Sequence, residues 1–306
     1  MNNVKPAIAA AMLTTALAGA PPAHAGPMVG LDPTGQHAYS TYADLWTNVT
    51  NTAMATNFTP GAPAAPGLLP SPSVVRSQMV IGTMSQNAAI VTPGGLNTGF
   101  ELSAVVRFQE LVDSQTATSA HFRLPDSQAS AIDVDLLHAG VQNIAFYLDR
   151  FTSGTASRAV AGDGDGTVRC YGAGQTSDGC GVGDPDGDGV LVMSGRLVAL
   201  EANVATAGDL STGAFDMRYR IDFVDARYLD LASGAVFQNN VTGAATMPSL
   251  YAPAAMWDGT PPAGVPLMKF DGSGSFALAA VPEPATLALL GIGLAGVVLA
   301  RRRPPL

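Results

Sequence analysis

The residues whose types and spacing could do chemistry lie in one stretch, Gly162–Gly189. It holds six aspartates, Asp163, Asp165, Asp178, Asp184, Asp186 and Asp188, against a single arginine, Arg169. Carboxylates crowded like this repel one another, so they are either solvated on a turn or compensated by a cation. Asp184-Pro185-Asp186-Gly187-Asp188-Gly189 has the D-x-D-x-D-G opening of a calcium loop. In such a loop alternate carboxylates turn toward one centre, and the sixth-position glycine lets the backbone bend sharply. Calcium takes about 6–8 oxygen ligands. Three aspartates, a carbonyl such as that of Val190, and water would begin the shell, and the half-motif Asp163-Gly164-Asp165 would supply further oxygens. The twelfth position is Gly195, where an EF-hand has a bidentate glutamate, and no helical pattern flanks the loop. The expectation is a Ca2+ site of Asp163, Asp165, Asp184, Asp186 and Asp188 that is not an EF-hand. A solvated acidic turn is the alternative.

Both cysteines of the chain, Cys170 and Cys180, fall in the same stretch. In an exported protein the expectation is a disulfide, which would close the loop and bring Asp163 and Asp165 nearer Asp184–Asp188. Free thiols do not suit an oxidising compartment, and no histidine lies in the stretch to complete a thiolate metal site.

Export itself is written at both ends. Met1–Ala25 has a basic n-region at Lys5, an alanine-rich apolar core over Ala7–Ala20, and an A-x-A cleavage site at Ala23-His24-Ala25. It reads as a signal peptide whose removal leaves Gly26 first. At the other end Val281–Arg303 reads VPEPATLALLGIGLAGVVLARRR. Residues 285–300 carry no charge; as a helix they span ~24 Å, against a hydrocarbon core of ~30 Å. Arg301, Arg302 and Arg303 would snorkel at the cytoplasmic interface and act as the membrane stop. Pro282 and Pro284 cannot extend the helix backward, so they hold Glu283 in an extended segment. A transmembrane helix is expected here. A buried C-terminal helix would need an amphipathic stripe, which this run lacks. A simple permanent anchor is the other alternative.

Val281-Pro282-Glu283-Pro284-Ala285-Thr286, a short apolar helix and a terminal arginine cluster together resemble the PEP-CTERM sorting signal. That family marks exported proteins of Gram-negative bacteria, typically ones that make extracellular polysaccharide. The resemblance implies recognition by a membrane-embedded exosortase, with cutting near Pro282, Glu283 and Pro284. It covers about 25 residues and speaks of sorting alone.

Composition agrees with export. Of 15 basic residues, Lys5 and the three tail arginines belong to the targeting segments, as does Glu283 of the 24 acidic ones; the 11 basic residues that remain face 23 acidic ones. So acidic an ectodomain excludes nucleic acid as a partner and disfavours an anionic membrane surface.

From Val74 onward the dominant period is two. Phe100, Leu102, Ala104, Val106 and Phe108 point one way, and Glu101, Ser103, Arg107 and Gln109 the other, with Val105 the exception. Ile132, Val134 and Leu136 alternate with aspartates, as do Ile144, Phe146 and Leu148 with Ala145, Tyr147 and Asp149. Phe215, Met217, Tyr219, Ile221 and Phe223 alternate with Asp216, Arg218, Arg220 and Asp222. Each reads as a strand with one buried face and one wet face, and Leu197–Val204 and Tyr228–Phe237 read as weaker strands. No helical pattern recurs between strands, which excludes a parallel α/β sheet. The expected fold is all-β, an antiparallel β-sandwich of jelly-roll type. The expected organisation is a signal peptide over 1–25, a Pro/Ala-rich segment and linker over 26–73, a sandwich ectodomain over 74–277 and the sorting tail over 281–303. Residues 26–72 are a poor core candidate, although Tyr39, Tyr42, Leu45 and Trp46 are available for burial.

No G-x-S-x-G elbow, H-E-x-x-H or Walker-type glycine loop is present. His37, His121 and His138 survive processing, and Glu101, Glu110 and Glu201 lie in strand-like stretches. Two functions stand: a non-catalytic envelope or extracellular-matrix protein, or a secreted carbohydrate-binding or carbohydrate-active enzyme. Aromatics make up 7% of residues, so stacking platforms for sugars are scarce, which favours the first. The expected partners are an exosortase, the membrane through residues 285–300, and extracellular polysaccharide.

Overall fold

The structure, a computed structural model, describes residues 28–56, 72–126, 142–150, 190–207, 210–246 and 267–278. Among them are β1 (Val29–Leu31), β2 (Thr41–Ala43), β3 (Leu45–Thr56), β4 (Ser73–Gln86), β5 (Ala89–Ile90), β6 (Phe100–Gln115), β7 (Ser119–Arg123), β8 (Ile144–Arg150), β9 (Val190–Ala207), β10 (Leu210–Val224), β11 (Leu229–Asp230), β12 (Val236–Thr246) and β13 (Leu267–Leu278), and no helix.

Nearly every long strand pairs antiparallel with its successor along the chain. β3 pairs with β4, β4 with β6, β9 with β10, β10 with β12 and β12 with β13. Between β6 and β9 one slot is shared: β7 fills it beside Leu111–Gln115, and β8 beside Phe100–Val106. β13 then pairs with β3, Leu45 opposite Ala277, and the ring closes. The result is an eight-stranded up-and-down barrel. This corrects the expected jelly-roll sandwich. A jelly roll needs crossovers between two sheets, whereas here one sheet meets itself and leaves no long free edge. Alternation shows which face is buried, not what it is buried against.

The alternating residues divide between lumen and outside as expected, but on β6 and β8 the outward face is not wet: Glu101, Ser103, Ala145 and Tyr147 are buried as well. Phe100, Leu102, Ala104, Val106 and Phe108 are buried in the main core, with Met217, Tyr219 and Ile221 from β10. On the outer face Arg218 and Arg220 are exposed, and Arg196 donates to Asp222 at 2.8 Å. Apolar inside and charged outside is the reverse of a barrel that crosses a membrane. Val105 points outward yet is buried, because it packs with Val80, Ala145 and Tyr147 in a second, smaller cluster on the far side of the wall.

Two sequence expectations change. Residues 26–72, expected to add little core, supply β3, a full wall strand, and Trp46, which is 1% exposed. A proline-rich neighbourhood obscured the local β pattern of Leu45–Thr56. Tyr228–Phe237 is not one strand: β11 ends at Asp230, and Gly234 turns the chain at φ +86° before β12 begins. Ile132, Val134 and Leu136 lie outside the described residues.

Tight closure needs bends, which bulges in β9–β10 and β3–β4 provide. At Gly195 the backbones come so close that a Cβ would stand 2.5 Å from the Arg220 carbonyl oxygen. The expected twelfth position of the calcium loop is therefore inside the barrel wall.

The two ends differ. A small sheet in the order β11-β1-β2 covers one end, adding Val29, Leu31 and Ala43 to the core. The Arg150 guanidinium reaches the Thr34 carbonyl there at 3.3 Å, and Leu278 N–H donates to the Asp44 carbonyl at 3.3 Å. Both the aspartate and cysteine stretch, which runs from β8 to β9, and the tail, which follows β13, therefore leave the barrel at this capped end.

Candidate functional site

The lumen is built in two parts. Toward the capped end it is filled by rings. Phe146 lies 5.7 Å from Trp46, 6.3 Å from Phe237 and 5.1 Å from Phe276, centroid to centroid. Between this plug and the end where β3 gives way to β4 lies a cavity of about 30 Å³, room for about two waters. Its walls come from β3, β4, β6, β10, β12 and β13, and are mostly apolar.

Glu110 reaches this cavity because it continues the inward series of β6, two residues beyond Phe108. It is 1% exposed and stands opposite Ser73 of β4. Its Oε2 has no hydrogen-bond partner, and neither has Ser73 Oγ. Burial pushes the Glu110 carboxyl up to about 8; the Ser73 hydroxyl nearby draws it down, though its geometry falls short of a hydrogen bond. The group is thus a neutral acid at neutral pH. Across the lumen Asn239 is fully buried; its Nδ2 donates to the Ser275 carbonyl at 3.0 Å, and its Oδ1 is unpartnered. On β3, Asn51 accepts from Ser77 Oγ at 2.9 Å, so this pair is satisfied. Among the described lining residues Glu110 alone is titratable.

The other candidates sit elsewhere. His121 is on the outer face, 3.3 Å from both Asp113 and Glu201, with Arg123 at 3.3 Å from Asp113. It is a partly exposed charge cluster, and no metal-holding group occurs among the described residues. Glu101 is buried on the outward side of β6. His37 belongs to the loop after β1, where Asp32 accepts N–H bonds from Thr34, Gln36 and Ala38 at 2.8–2.9 Å. Burial opposes ionisation of Asp32, but these bonds and the Thr34 hydroxyl outweigh it and hold the carboxyl at about 2. The loop is a structural staple.

The sequence-predicted sites fall outside the described residues: Asp163, Asp165, Asp184, Asp186 and Asp188, Cys170 and Cys180, Pro282, Glu283 and Pro284, Arg301, Arg302 and Arg303, and His138. What the structure adds is where their segments start and end. The unpartnered pair Glu110 and Asn239 was not foreseen. Glu110 carried a signal, since position 110 extends the buried series 100–108; Asn239 carried none.

Residues 280–303 match the family model of the PEP-CTERM protein-sorting motif. No curated protein and no solved structure matches the chain.

Proposed function

With a PEP-CTERM sorting motif at residues 280–303, which implies an exported protein handled by an exosortase, we propose that this chain is a non-catalytic cell-envelope or extracellular-matrix protein. The observation that carries the proposal is the motif match. The barrel supports it: its outer face is charged, and its lumen offers Glu110 as the one titratable side chain among the described lining residues, where glycoside hydrolysis uses two carboxylates. Among the described residues no helix is long and apolar enough to cross a membrane; the proposed span, residues 285–300, lies outside them. In this proposal Met1–Ala25 is removed, the tail inserts with Arg301–Arg303 on the cytoplasmic side, and the exosortase acts near Pro282-Glu283-Pro284.

Mass spectrometry of surface protein from a strain with a working exosortase tests this. Wild type should begin at Gly26 and lack Arg301–Arg303. Glu283→Gln, or Pro282→Ala with Pro284→Ala, should insert but keep the arginines. Wild-type surface protein that retains Arg301–Arg303 defeats the proposal.

We also propose a Ca2+-binding loop of Asp163, Asp165, Asp184, Asp186 and Asp188, closed by a Cys170–Cys180 disulfide. Without a glutamate at the twelfth position the affinity should be that of extracellular modules, ~0.1–1 mM. Calcium at ten times its Kd should then stabilise the folded chain by about 1.4 kcal/mol. The check is thermal unfolding in EDTA and in calcium, beside an Asp186→Ala/Asp188→Ala variant, with thiol labelling of the native protein. Equal responses of wild type and variant mean a solvated acidic turn, and labelled thiols rule out the disulfide.

A further inference from the structure

Among the described residues the exposed large apolar side chains fall in two places. Val49 and Val198 lie on the side wall, in β3 and β9; Ile90, 77% exposed, and Tyr42, 38% exposed, lie at the capped end. Ile90 belongs to a hairpin. β4 runs past its last pairing with β3, Ser85 opposite Leu45, and turns back into β5 through Asn87 and Ala88, both left-handed at φ 49° and 66°. Positions 87 to 90 are all exposed, and residues 86–100 carry no charge. Tyr42 is on the outward side of the small sheet, between the buried Thr41 and Ala43. Its ring crosses Gly30, where a Cβ would stand 2.8 Å from Tyr42 Cε1, and its hydroxyl donates to Asp230 at 3.2 Å. Asp44 ties the hairpin to the point where the tail leaves: its carboxylate accepts from Asn87 N–H at 2.9 Å, and its carbonyl from Leu278 N–H at 3.3 Å. Ala285, where the uncharged run begins, follows Leu278 by seven residues, a reach of ~25 Å at full extension.

We propose that the capped end rests on the bilayer that holds the tail, with Ile90 inserted at its surface and Tyr42 at headgroup level. The proposal rests on the membrane reading of residues 285–300. With the tail inserted the contact is intramolecular, so one apolar hairpin orients the barrel without having to anchor it. An uncharged tip needs no anionic lipid, which suits an acidic ectodomain. Tyrosine favours the membrane–water interface, where its ring is apolar and its hydroxyl wet. Neighbouring carboxylates are engaged within the protein: Asp225 accepts from Arg227 at 2.6 Å, and Asp230 from Tyr42. A barrel standing on this end keeps Pro282-Glu283-Pro284, which lies between Leu278 and the span, close to the bilayer surface where a membrane-embedded exosortase acts.

The test uses the full chain from a strain without an exosortase, so that the tail is kept. It is placed in phosphatidylcholine vesicles whose acyl chains carry bromine near the headgroup, a contact quencher of tryptophan. Ile90→Trp is compared with Thr118→Trp, in the exposed loop between β6 and β7 at the other end of the barrel, with the wild-type emission subtracted. The emission added by Ile90→Trp should be mostly lost on brominated lipid, and that added by Thr118→Trp should be unchanged. Flotation with the vesicles reports on the tail separately. A floating chain whose Ile90→Trp emission is not quenched overturns the proposal and leaves the tail reading standing. Equal quenching at both positions also overturns it, since the barrel then lies on its side. A chain that does not float defeats the tail reading, and this proposal with it.

Discussion

Phe146→Ala should cost the barrel about 3–5 kcal/mol, the usual range for a buried phenylalanine cut to alanine. The side chain is fully buried and touches the rings of Trp46, Phe237 and Phe276, which come from three other strands. Those strands, β3, β12 and β13, run side by side in the wall opposite β8, so the ring ties one side of the lumen to the other. Its loss leaves a void that pleated walls cannot collapse to fill, because their spacing is set by hydrogen bonds around a closed ring. A cost of this size is a large share of the ~5–15 kcal/mol that holds a typical domain folded. Phe146→Leu, which keeps most of the volume, should cost less than half as much. Urea unfolding followed by tryptophan fluorescence measures both. A midpoint unchanged in Phe146→Ala would mean that the plug is not packed as described.

Glu110→Gln should change how stability depends on pH. The folded-state value of Glu110 is about 8, against 4.5 for an unperturbed carboxyl. Below pH 4.5 both states hold the proton, and the group adds no slope. As pH rises from 4.5 toward 8 the unfolded chain releases the proton and the folded one keeps it. Wild type therefore loses stability across this window, by up to ~1.4 kcal/mol per pH unit. Glutamine keeps the shape and cannot ionise. The variant should match wild type near pH 4.5, exceed it increasingly up to pH 8, and hold a constant lead above. The accumulated lead should be on the order of a few kcal/mol. Denaturant titrations at a series of pH values give the difference directly. Parallel curves would show that Glu110 reaches solvent or finds a partner in solution.

The sorting tail was legible because it is contiguous. Such a tail is defined by the order of charge, proline and apolar run along the chain, so Val281–Arg303 could be interpreted with no fold in hand, and the match at residues 280–303 agrees. Strand faces were legible for a similar reason. A period of two is a local property, so Phe100–Phe108 and Met217–Ile221 showed their buried sides directly. The same parity extended to Glu110 places it inside. Closure is another matter. Whether the inner face meets a second sheet or its own far edge turns on β13 finding β3, with Leu45 opposite Ala277, and no local pattern records a pairing between residues so distant. That pairing is what made Trp46 a core residue. It also faced Glu110 toward Asn239 across one cavity, while the pairing of β4, β6 and β8 gathered Val80, Val105 and Tyr147 into a second cluster outside the wall. Sequence alone determined the strand faces and the sorting tail; the tertiary structure decided what each buried face meets, because burial partners are set by closure of the ring rather than by neighbours in the chain.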